Sequence, residues 1–141
     1  MMTIIRHTKK DISYLWPSKE PTPDVIETIL KEKISKKALN NTYYSVSVYD
    51  ENKIIGYGRL IGDGICFMHI HDVMVIPEYQ NKRIGTRIVN KLLEKIKEIK
   101  KENPDVRVYL GASKGKEGFY KNFGFIERQD ADLGAGMIYN K

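Results

Sequence analysis

Between Ile65 and Ile99 the chain changes its period once, and that change limits what it can fold into. Up to Ile76 the residues read as an extended strand, which Pro77 closes. From Ile84 the apolar positions recur as Ile84, Ile88, Val89, Leu92, Leu93, Ile96 and Ile99. That is one stripe of a helix, with lysines, arginines and glutamates on its other side. Pro104 ends it. A strand feeding a helix through the polar link Glu78 to Arg83 excludes both an all-helical bundle and an all-β sandwich.

The rest of the chain fits around that junction. Thr3 to Arg6 reads as a first strand. Asp24 to Ser35 has apolar residues at 25, 26, 29, 30 and 34, the spacing of one helix face, with Pro23 and Asp24 as start signals. Ser13 to Pro23 is rich in turn formers and carries Tyr14 and Trp16; it reads as a short helix passing into a loop. Tyr43 to Tyr49 and Lys53 to Ile61 are strands joined by the turn Asp50-Glu-Asn-Lys, and Gly62-Asp-Gly leads into the long strand Ile65 to Ile76. Val106 to Gly111 is a further strand and Lys116 to Asn122 a short helix. Phe125 to Tyr139 supplies one or two last strands, with Asp130 to Met137 as a hairpin loop. The whole is a mixed α/β chain.

At 141 residues it forms one domain, 1–141, with no repeat or linker to divide it. The single cysteine, Cys66, rules out an internal disulfide and a cysteine-based zinc cluster. His7, His69 and His71 lack the further ligands a metal site needs, so no metal is expected. No apolar run reaches the ~20 residues of a membrane span, nor the length of a signal peptide, which points to a cytoplasmic protein. The net charge of +6 favours an anionic partner. Nucleic acid, an anionic membrane and a polyphosphate cofactor all qualify on charge alone.

The junction itself carries chemistry. The first turn of a helix leaves backbone N–H groups unpaired and gathers partial positive charge, so a pyrophosphate suits it. Gly85 lets a ligand approach the backbone closely, and Lys82, Arg83 and Arg87 surround the same mouth. An ordinary basic strand–helix turn has the same composition.

Val73-Met-Val-Ile-Pro-Glu-Tyr-Gln-Asn-Lys-Arg-Ile-Gly resembles the acetyl-CoA motif of the GNAT superfamily, a strand, then Gln/Arg-x-x-Gly-x-Gly/Ala, then a helix. Downstream, Tyr109-Leu-Gly-Ala-Ser and Gly118-Phe-Tyr-Lys-Asn-Phe-Gly-Phe resemble the family's next strand and its Phe-Tyr-x-x-x-Gly-Phe helix. The resemblance covers nearly the whole chain. It implies a central mixed, mostly antiparallel twisted sheet of six or seven strands flanked by about four helices. One residue departs from the pattern: Arg83 stands where the family has its first glycine.

By that resemblance the strand Val73, Met74 and Val75 pairs its backbone with the pantetheine arm of acetyl-CoA. Gln80, Asn81, Lys82, Arg83, Ile84, Gly85 and Thr86 surround the pyrophosphate, and Ser113 lies near the pantetheine. The activity implied is N-acetyl transfer to a primary amine, by direct attack in a ternary complex. A non-catalytic acyl-CoA-binding module of the same fold is the alternative, and homodimers are common in the family.

Forming an amide from a thioester requires the amine to lose a proton and favours giving one to the departing sulfur. Tyr120 is the candidate acid, since a phenol with a pKa of about 10 keeps its proton at neutral pH; the matching tyrosine has this role in the family. As a plain core aromatic it would sit with Phe119, Phe123 and Phe125. His69 and His71 are two apart on a strand, so they share a face. Strict alternation puts them on the side of Val73 and Val75, with Asp72 on the opposite side, pairing with a lysine or arginine. An imidazole accepts protons near neutral pH, and His-x-His resembles the corresponding strand of aralkylamine N-acetyltransferases. Two hydrogen-bonded structural histidines have the same spacing. Tyr14 and Trp16 fall where the family walls its acceptor pocket, and an aromatic cage suits an amine.

Two other patterns fail. Gly111-Ala-Ser-Lys-Gly-Lys-Glu has three residues where a nucleotide P-loop has four, and Glu117 where it needs Ser or Thr. Glu94, Glu98 and Glu102 interrupt the basic face of the long helix, so neither nucleic acid nor a membrane is expected as partner. A small-molecule or peptide amine is.

Overall fold

Five strands lie side by side in chain order in the computed structural model, which describes residues 2–6, 40–51 and 53–139. They are β1 (Met2–Arg6), β2 (Tyr44–Asp50), β3 (Lys53–Gly62), β4 (Phe67–Val75) and β5 (Arg107–Leu110). β2–β3 and β3–β4 are antiparallel; β1–β2 and β4–β5 are parallel. The sheet is therefore mixed, as expected, with the two kinds of ladder in equal number among the described residues rather than mostly antiparallel. Two α-helices are described, α1 (Ile84–Glu102) and α2 (Glu117–Lys121). The helices expected over 13–35 lie outside the described residues.

The expectation of six or seven strands is corrected to five among the described residues, where two of the about four expected helices also lie. The missing strands are those read from Phe125 to Tyr139. That segment instead makes one 3-10 turn, Arg128–Ala131, and continues without regular structure. Asp132 closes the turn at φ 55°, and Gly134 and Gly136 follow, a composition that weakens any strand. The long third strand also starts later than its apolar run. The Asp63 carboxylate accepts the N–H groups of Ile65, Cys66 and Phe67 at 2.8, 2.8 and 3.1 Å, which keeps residues 64–66 in the turn. Those bonds hold the Asp63 carboxyl below its ordinary pKa.

α1 crosses one face of β2, β3 and β4 and buries Ile84, Ile88, Val89, Leu92, Ile96 and Ile99. Each such side chain contributes about 1.5–3 kcal/mol relative to exposure. The helix can settle this close because two β3 residues beneath it have no side chain. A Cβ on Gly56 would lie 3.0 Å from Ile84 Cγ2, and one on Gly58 2.5 Å from Ile88 Cγ2. The chain then passes from α1 into β5, which pairs with β4 only from Phe67↔Arg107 to Ile70↔Leu110. Among the described residues no helix is long and apolar enough to cross a membrane.

Candidate functional site

β4 is two half-strands out of phase. Directly paired residues of an antiparallel ladder share a face, and Leu60 pairs with Ile70 while Arg59 pairs with His71. Further along, Gly56 pairs with Val75 and Tyr57 with Met74. From 57 to 59 β3 advances two residues while β4 goes from 74 back to 71, so β4 carries one extra residue there. Asp72 adopts φ 52° at this bulge. Alternation is thereby inverted. Val73 and Val75 turn toward α1, where their methyls approach the positions above Gly58 and Gly56. His69 and His71 face the other way, with Arg59 and Tyr57. The expectation that the histidines share a side with Val73 and Val75 is corrected, because the bulge shifts the pleat by one. Asp72 does pair with an arginine: Arg59 Nε donates to Asp72 Oδ2 at 2.5 Å. That contact lies on the histidine face, not the opposite one as alternation implied.

Beyond Ile70, the edge of β4 toward β5 has no strand partner among the described residues. Residues His71 to Val75 thus present a length of open backbone past the end of β5. That edge leads through the 3-10 turn Pro77–Tyr79 to the loop 80–83 and straight into α1. Tyr79 fixes the turn by donating its hydroxyl to Asp50 Oδ2 at 2.7 Å, which is the main reason its pKa is pushed up to about 12. Lys53 and Lys82 each place an ammonium near the Tyr79 ring, 5.7 and 5.6 Å from its centroid.

The start of α1 has free amides of the kind that suit an anion. Gln80 uses its N–H on Pro77 O at 3.0 Å, and the first helical bond runs from Arg87 N–H to Arg83 O at 3.1 Å. The amides of Ile84, Gly85 and Thr86 precede that bond and have no intrahelical acceptor. Among the described residues no side chain caps the helix, and its first turn holds no acidic residue. The loop reaches this geometry with two left-handed residues, Asn81 at φ 58° and Arg83 at φ 64°. Asparagine tolerates that region; arginine is strained in it. Arg83 therefore occupies a position whose backbone suits the glycine it replaces.

On the histidine face the rings form a line. His69 lies 5.8 Å from His71 and 5.4 Å from Tyr109, its register partner on β5. Burial is the main cause holding the His71 pKa below the ordinary 6.5; Asp72 opposes it, while His69 and Arg59 reinforce it. Arg128 stacks over Tyr109, its guanidinium carbon 5.6 Å from the ring, and donates Nε to Gly134 O at 2.8 Å. Tyr109, Arg128 and Tyr120 line one cleft of about 290 Å³ beside β5 and α2. Tyr120 projects from α2, edge-on to Phe119 and Phe125, and burial raises its pKa above the usual phenol value. It keeps its proton at neutral pH.

The structure thus gathers residues 73–75 and 80–86 along one edge, and it links His69 through Tyr109 to the cleft of Tyr120. Ser113 is half-buried just past β5, its carbonyl accepting Lys116 N–H at 2.8 Å. Tyr14 and Trp16 lie outside the described residues. No group of three or more His, Cys, Asp or Glu that could hold a metal occurs among the described residues. Sequence reasoning passed over Tyr109 and Arg59. Tyr109 could have been found by the shared parity of β4 and β5; nothing local singles out Arg59.

A family model described as an acetyltransferase (GNAT) domain matches residues 17–139. An uncharacterized N-acetyltransferase ycf52-like protein of Prochlorococcus marinus is 32% identical over 94 residues, 64% of this chain and 50% of that protein. The chain therefore spans half the length of that relative. A glucosamine 6-phosphate N-acetyltransferase of Schizosaccharomyces pombe is 33% identical over 98 residues, 63% of this chain and 84% of that enzyme. The structure of a Staphylococcus aureus protein of unknown function, a probable acetyltransferase, superposes with TM-score 0.68 at 27% identity, covering 92% of this chain and 98% of that one.

Proposed function

The chain belongs to the GNAT acetyltransferase family, and from that membership we propose that it moves an acetyl group from acetyl-CoA to a primary amine. The observation that carries the reading is the unpaired edge His71 to Val75 running into the uncapped start of α1. An extended amide-bearing arm can add to that edge as a strand would, and a pyrophosphate suits the amides of Ile84, Gly85 and Thr86. Lys82, Arg83 and Arg87 supply positive charge nearby.

His71, neutral at pH 7 because burial lowers its pKa, takes the proton from the incoming ammonium, with His69 beside it as the other candidate. The freed amine forms the new C–N bond at the thioester carbonyl, and the C–S bond breaks as the tetrahedral intermediate collapses. Tyr120 gives its proton to the leaving sulfur and takes back the second proton that the new amide nitrogen sheds, so the net proton released is the one on His71. No residue of the chain is acylated, so the reaction runs in a ternary complex.

The test is thiol release from acetyl-CoA across a panel of amines: aralkylamines, polyamines, amino sugars with and without phosphate, peptide amino termini and lysine peptides. Release of free CoA that depends on one amine class is expected. Stabilisation by acetyl-CoA without release for any amine would overturn the enzyme reading and leave an acyl-CoA-binding module.

A further inference from the structure

We infer that Arg59 is a positioning residue for the cofactor strand: its ion pair with Asp72 holds the β4 bulge in the one register that leaves Val73 and Val75 facing α1 and their backbone open toward β5. This rests on the acyl-CoA reading above.

A bulge needs one residue that accepts its backbone, and the sequence around it offers no glycine. Asp72 takes φ 52°, flanked by His71 and the β-branched Val73, which suits a left-handed backbone far less. Backbone tolerance alone leaves the bulge weakly specified, since an aspartate can also take an extended backbone. Arg59 breaks that indifference. It reaches from β3 to Asp72 Oδ2 with Nε at 2.5 Å, and with Nη1 to Thr42 Oγ1 at 3.2 Å ahead of β2. The arginine side chain is 17% exposed and the aspartate 38%, so the attraction is less screened than that of a surface pair. One guanidinium thus ties β3, the β4 bulge and the approach to β2 together.

If the bulge moves, the parity of 73–75 changes, and with it the direction of every amide on that edge. The loop 80–86 and the start of α1 are untouched by this contact. Loss of Arg59 therefore weakens the grip on the pantetheine arm and spares the grip on the phosphates, a split that general destabilisation does not produce.

The experiment measures, by calorimetry, the affinity of the full chain for CoA and for 3′-phospho-ADP, the half of CoA that lacks pantetheine. Arg59→Gln and Asp72→Asn are each expected to weaken CoA about tenfold, with 3′-phospho-ADP changed by less than about twofold. The double variant should be no weaker than Arg59→Gln alone, because that change has already removed the Asp72 contact. Arg59→Lys, which keeps the charge, should recover part of the loss. Equal weakening of both ligands, unchanged CoA affinity, or additive effects in the double variant would each overturn the positioning role. Should Arg59→Gln not fold, Asp72→Asn carries the comparison, since asparagine accepts the left-handed backbone. Unmutated protein that binds neither ligand would instead overturn the acyl-CoA reading, and the positioning role with it.

Discussion

Gly58 lies directly under Ile88, so closely that a Cβ on the glycine would come within 2.5 Å of Ile88 Cγ2 and 3.3 Å of Leu92 Cδ1. The helix that opens on the candidate phosphate site thus rests on bare backbone of β3. Gly58→Ala should cost about 1–3 kcal/mol through overpacking, read from the denaturant midpoint. Ile88→Ala removes the clashing methyl, so it should cost less in the Gly58→Ala background than alone. Strict additivity would show that the two do not meet.

Arg83 holds a left-handed backbone at φ 64°, where glycine is at ease. Arg83→Gly should therefore stabilise the fold by about 0.5–1 kcal/mol, the relief of strain being offset in part by glycine's larger entropy loss. The same change removes a cation from the mouth of α1. CoA affinity should become less sensitive to salt, measured as the slope of log Kd against log salt concentration.

Tyr120→Phe removes the candidate acid and keeps the ring that packs against Phe119 and Phe125. Turnover should fall by about 10²-fold or more, with the Kd for CoA unchanged. Undiminished thiol release from the variant would show that the phenol has no chemical role.

The His71 imidazole is held below its ordinary value of 6.5, chiefly by burial, so folding favours its neutral form. Its contribution to stability is complete above 6.5 and is lost as pH falls through the lowered folded-state value. The rate should follow the same direction: kcat/KM should show an acid limb with an apparent pKa below 6.5. His71→Gln should remove that limb and His69→Gln should retain it. The reverse pattern would transfer the base to His69.

The junction at Ile84 was legible because a helical stripe depends on side-chain spacing alone, and α1 covers it from Ile84 to Glu102. The loop composition and Gly85, which suit an anion at the start of α1, were read the same way, because they lie within a few residues of one another. The faces of β4 were not. Alternation assigns Asp72 to one side, and what overrules it is a backbone angle at that residue together with an ion pair to Arg59, thirteen residues away. No local pattern contains both. The carboxy-terminal strands failed otherwise: Phe125 and Ile126 looked like the start of a strand, but Asp132, Gly134 and Gly136 leave the chain after them without a ladder. His69 and Tyr109 came together through the register of β4 and β5, which pairs residues forty apart in sequence.

The extra residue at Asp72 gives β4 something like a reading frame. Upstream of it, odd positions face the histidine side; downstream, odd positions face α1. Removing residue 72 would restore an unbroken alternation and keep the frame, with His71 opposite Arg59 and Met74 opposite Tyr57 as now; keeping the residue and losing the bulge would throw it, so that Val73 and Val75 exchange faces with Met74. A search for the limits of variation in this chain should therefore find β4 tolerant of a residue lost at 72 and intolerant of one lost at 74.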